Sequence, residues 1–159
     1  LPGFALRFKS ESRLQRLIAV LVRPFNRTYL TEYTTVMFGR VYLPDRACLP
    51  PHGMSRESLF ALLCHEAVHL RDARRYPLFF HLSYLLLPPV GPGFRAFWEW
   101  RGYRETLRVE YALWGEITDA HLDRIADRFA GSDYLFMWPF RRDVRSRLER
   151  LRAEITGGA

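Results

Sequence analysis

Leu14, Leu17, Ile18, Leu21 and Val22 fall three and four positions apart, the spacing of one face of an α-helix. Ser10 or Ser12 can cap this segment and Pro24 with Asn26 closes it, so the pattern predicts an amphipathic packing helix. The period then changes. Between Thr34 and Leu43 the residues Thr34, Thr35, Val36, Phe38, Val41 and Tyr42 are β-branched or aromatic, which predicts one strand or a tight hairpin about Gly39. Pro44, Pro50, Pro51 and Gly53 mark a loop.

Helical spacing returns at Ser55, a good N-cap for a helix over Arg56 to Arg75, with Glu57 in its first turn and Arg71, Arg74 and Arg75 in its last. Leu59, Leu62, Leu63, Val68 and Leu70 supply its expected core face, and Pro77 its stop. Leu78 to Leu87 reads as a short apolar helix before a loop of Pro88, Pro89, Gly91, Pro92 and Gly93. Long helices follow over Phe94 to about Trp114 and Thr118 to Phe129. Gly131 and Ser132 break the chain, and a last helix starts near Pro139 and ends before Gly157. The reading is a single α+β domain over 1–159, mostly helical, with a small β element before the Ser55-capped helix.

Inside that helix stands His65, Glu66, Ala67, Val68, His69, the pattern HExxH. Histidines four apart share a helix face, so both imidazoles can reach one Zn²⁺ at about 2.0–2.1 Å, with the glutamate beside the first in reach of a water activated there. With five histidines and ten glutamates in 159 residues, chance supplies this pattern roughly 0.01 times. A hydrolytic zinc site needs a third protein ligand. The HExxHxxGxxH arrangement is excluded, because Asp72 stands where its glycine would be and Arg75 where its third histidine would be. His81, Glu99, Glu105, Glu110 and His121 remain. Glu99 fits best: it shares a stripe with Tyr103, Thr106 and Glu110 on a second long helix, and Gly102 gives that helix a small residue. Glu105, about 240° round the helix from Glu99, is the alternative.

These residues resemble the gluzincin zinc metallopeptidases, especially minimal single-domain ones and the membrane-associated family in which HExxH is followed by ExxAD. Glu99 and Gly102 match the second motif, but Tyr103 stands where the family has aspartate, which leaves the support of a zinc-bound histidine to Asp72, Asp119 or Tyr103. The resemblance covers residues 34–115 and implies a zincin-like fold whose strand over Thr34 to Leu43 offers an edge to extended peptide. It implies that His65, His69 and Glu99 hold zinc while Glu66 acts as general base and then acid. Tyr103 is the candidate oxyanion donor by its place on the Glu99 stripe, with His121 and Tyr134 as alternatives.

Composition changes the picture little. The formal net charge of +7 rests on 23 arginines and one lysine, Lys9. The densest run, Arg141 to Arg152, alternates with Asp143 and Glu149 like a solvated helix face. An acidic substrate or partner suits the charge, and a basic nucleic-acid-binding protein is one rival reading; a catalytically silent zincin scaffold is the other. Two cysteines, Cys48 and Cys64, make no disulfide framework and point to a reducing compartment, hence the cytoplasm. Cys64 points about 100° away from His65 and reads as a small hydrophobe. The aromatic group Phe94, Phe97, Trp98, Trp100 and Tyr103 reads mostly as core, and the apolar patch of Phe79, Phe80, Tyr84 and Leu85 to Leu87 as packing. The apolar runs Leu14 to Phe25 and Leu78 to Val90 are too short and too interrupted to span a bilayer.

Overall fold

The structure is a computed structural model and describes residues 5–24, 27–31, 33–51, 53–85, 93–131 and 136–157, with the backbone alone at 84 and 85. Among these residues it holds six α-helices and one three-stranded sheet, the mostly helical α+β class that the patterning predicts. They gather into two compact units, Leu1–Arg74 and Arg75–Ala159.

The first unit is built on the sheet. Strands β2 (Thr35–Met37) and β3 (Arg40–Leu43) form the hairpin, with Thr35 opposite Tyr42 and Val36 opposite Val41. Its two turn residues, Phe38 and Gly39, have φ of 50° and 73°. Two positive φ angles in succession match the right-handed twist of the flanking strands, which is why the chain reverses here. Strand β1 (Ala5–Phe8) pairs parallel to β3 on its other side and gives the order β1-β3-β2. Val41, Leu43 and Leu70 form a buried cluster, with Phe8, Val36, Leu49 and Leu62 packed against it.

Helix α1 (Arg13–Val22) starts at Ser12, whose hydroxyl accepts from the Gln15 backbone N–H. Its packing corrects the sequence reading. Gln15 is its one buried residue, and most of the apolar face faces outward.

Helix α2 (Arg56–Arg75) is entered through a tight approach: a Cβ on Gly53 would stand 2.2 Å from the Cys48 carbonyl carbon, so only glycine fits. The Ser55 hydroxyl then accepts from the Ser58 N–H at 3.0 Å. Glu57 is held below the usual carboxylate range by its own backbone N–H and then by Ser55.

The second unit is helical. Pro77 is the first residue of α3 (Pro77–Leu85), where its missing N–H costs nothing. Trp98 of α4 (Phe94–Trp114) donates through Nε1 to the Ser83 hydroxyl at 3.0 Å, and Ser83 donates to the Phe80 carbonyl. Gly115, at φ 73°, ends α4. Helix α5 (Asp119–Ala130) is capped by Thr118, and α6 (Arg141–Gly157) returns beside it. Tyr103, Leu107, Leu122, Ile125, Phe129 and Leu148 belong to the core between these helices.

Much of the arginine run on α6 is paired locally. Arg141 pairs with Asp123 and Asp127, and Arg145 with Asp119, Asp123 and Glu149. Arg152 and Arg145 together hold the Asp119 carboxyl below its ordinary range.

Candidate metal centre

The buried side of α2 mixes apolar residues with polar ones. His65, Glu66, His69 and Asp72 are each under 10% exposed, alongside Ala61, Val68, Leu70 and Ala73. Of the expected core face, Val68 and Leu70 are buried while Leu59, Leu62 and Leu63 are only half-buried. Burying two imidazoles and two carboxyls on one helix is unfavourable unless something compensates them. This buried polar group singles out α2.

His65 and His69 lie one turn apart, and their Nε2 atoms converge to 3.0 Å with ring centroids 4.8 Å apart. Nitrogens that close on one side of a helix suit a single ion between them, since two spheres of about 2.0–2.1 Å radius centred on them overlap. Glu99 is 3% exposed on α4, so it is no ordinary surface carboxylate. Among the described residues, His65, His69 and Glu99 form the one group of three His, Cys, Asp or Glu donors, with ligand atoms all within 4.8 Å of one another. Two imidazoles and a carboxylate, all buried, are a donor set that fits Zn²⁺.

The other candidates are engaged elsewhere. Glu110 and His121 pair with each other, Oε2 to Nδ1 at 2.5 Å. His81 turns its Nδ1 to the Pro77 carbonyl at 2.6 Å. Glu105 is half-buried on α4 and outside the group. Tyr103 is buried in the helical core against Phe129, ring centroids 5.5 Å apart, and its hydroxyl accepts from Arg128 at 3.4 Å. Cys48 and Cys64 are half-buried and in no disulfide. Of the aromatic group, Trp98 and Tyr103 are buried while Phe94 and Phe97 are exposed. Tyr134 and residues 86–92 lie outside the described residues, as do the side chains of Tyr84 and Leu85.

One residue beside the motif escaped the sequence reading. Lys9 is wholly buried; its Nζ donates to the Tyr29 carbonyl at 2.7 Å and sits 3.6 Å over the Tyr29 ring. Burial lowers its pKa to about 7, opposed by the negative charge of Glu66. Burial also raises the Tyr29 hydroxyl above its ordinary range. Composition held the signal: Lys9 is the one lysine against 23 arginines. Lysine can lose its charge inside a protein and arginine cannot.

No helix among the described residues is long and apolar enough to cross a membrane. Comparison of the chain with protein-family models, curated proteins and solved structures finds no match.

Proposed function

We propose that this chain is a zinc-dependent hydrolase of the gluzincin type that cleaves peptide bonds. The observation that carries the reading is the buried His65, Glu66 and His69 of α2, with the two Nε2 atoms 3.0 Å apart. His65, His69 and Glu99 hold the ion. Zinc bound there supplies Lewis acidity, which acidifies water and polarises a carbonyl. Glu66, next to His65 on the buried face, accepts the proton of the attacking water and returns it to the leaving amine nitrogen. The basic net charge favours acidic peptides or proteins as substrates, and two cysteines outside any disulfide suit a reducing compartment such as the cytoplasm.

The nucleic-acid reading loses support, because much of the α6 arginine run is already spent on Asp119, Asp123, Asp127, Asp143 and Glu149. The zinc-loaded chain, assayed on a broad peptide library beside Glu66→Gln, tests the proposal. The variant keeps stoichiometric zinc and loses hydrolysis by orders of magnitude; an active Glu66→Gln protein overturns the general-base role. A zinc-loaded but inactive parent chain would instead make it a silent scaffold.

A further inference from the structure

Helix α1 is built inside out. Its inward residue is Gln15, wholly buried, whose amide oxygen accepts from the Tyr29 hydroxyl at 2.6 Å. On the outer side Leu14, Leu17, Val20 and Leu21 are 41, 58, 68 and 68% exposed. At 100° per residue these four span an arc of about 120°. Arg16 and Arg23 border that arc on one side, and Arg13 rises from its first turn; all three are exposed. From Ser12 to Thr31 the chain carries four arginines and no acidic residue.

A soluble helix turns its aliphatic stripe inward and its polar residues out. Here the polar anchor is inside and the stripe is offered to the surroundings. The stripe needs an apolar medium and its border an anionic one, and the headgroup region of a negatively charged bilayer supplies both. Ten residues rise about 15 Å, half of a hydrocarbon core, so such a helix lies in the plane of the surface. We propose that α1 docks the protein on an anionic lipid surface, with Leu14, Leu17, Val20 and Leu21 inserted at the acyl boundary and Arg13, Arg16 and Arg23 on lipid phosphates. The proposal does not depend on the zinc site.

The test is co-sedimentation of the 159-residue chain with phosphatidylcholine vesicles, alone or with about 30% phosphatidylserine. The chain is expected on the anionic vesicles, at least about tenfold more weakly on neutral ones, and less at high salt. The double variant Leu17→Glu/Leu21→Glu, and separately Arg13→Glu/Arg16→Glu, each weaken binding by about tenfold or more. Every changed side chain is exposed, so circular dichroism and the thermal midpoint stay at the parent values. Absence of binding, equal binding to neutral vesicles, or unchanged binding by either variant overturns the proposal. Self-association that Leu17→Glu/Leu21→Glu abolishes, while vesicle binding stays unchanged, overturns it in favour of a second copy of the chain.

Discussion

The Nε2 atoms of His65 and His69 stand 3.0 Å apart on the buried side of one helix, a turn from each other. At this separation both nitrogens would be able to hold one zinc ion. Protons on both Nε2 atoms would collide at this distance. His69→Ala is therefore expected to abolish stoichiometric zinc binding, and elemental analysis that finds the parent zinc content in the variant would refute the site.

Glu99 and Glu105 sit on one helix but only Glu99 belongs to the donor group. Loss of a residue that merely orients a ligand weakens metal binding by about 10–100-fold, and loss of the ligand itself should cost more. Glu99→Gln is expected to lower zinc affinity by more than about 100-fold, while Glu105→Gln leaves it unchanged. Competitive titration against a zinc chelator measures both; the reverse ranking would move the third ligand to Glu105.

Local signals were legible where they act over a few residues. Ser55 caps α2 and the Phe38–Gly39 turn closes the hairpin because each is decided by neighbours in the chain. Strand β1 escaped notice: four residues gain their order by pairing with β3 some 35 positions away, as in Ala5 opposite Arg40. Burial was misread on two helices for one reason. Hydrophobic periodicity assigns the inside to aliphatic residues, whereas α1 turns inward Gln15, held by Tyr29, and α2 turns inward His65, Glu66, His69 and Asp72 beside Val68 and Leu70. The shared face of His65 and His69 is legible because it rests on helix geometry alone, whereas the rest of the Glu99 stripe goes elsewhere, Tyr103 to Phe129 and Glu110 to His121; Lys9 shows no such spacing.

Phe129 is wholly buried, with the Trp100 ring 4.8 Å and the Tyr103 ring 5.5 Å from its own. Truncation removes the apolar contact of the ring and leaves a void that α5 cannot close without moving. Phe129→Ala is expected to destabilise the protein by about 3–5 kcal/mol. Urea unfolding measures it, and a loss under about 1 kcal/mol would show that these rings are not packed as described.

Lys9 supplies a pH signature that no arginine in this chain can. With a folded pKa of about 7 and an ordinary value of 10.5, the folded state holds fewer protons at Lys9 than the unfolded chain does between these limits. Stability linked to this residue therefore rises with pH across that window, and the burial penalty is fully felt below about pH 7. Between pH 7 and 9.5 the gain is about 3 kcal/mol, set by the 1.36 kcal/mol that each pH unit contributes. Lys9→Met keeps the length of the side chain and removes the titration, at the cost of the hydrogen bond to the Tyr29 carbonyl. The parent should gain on Lys9→Met by about that amount as pH rises from 7 to 9.5, whatever their offset at pH 7. Parallel urea-unfolding stabilities for the two proteins across these pH values would mean that Lys9 is solvated and charged, and that its place beside Glu66 is not the buried one.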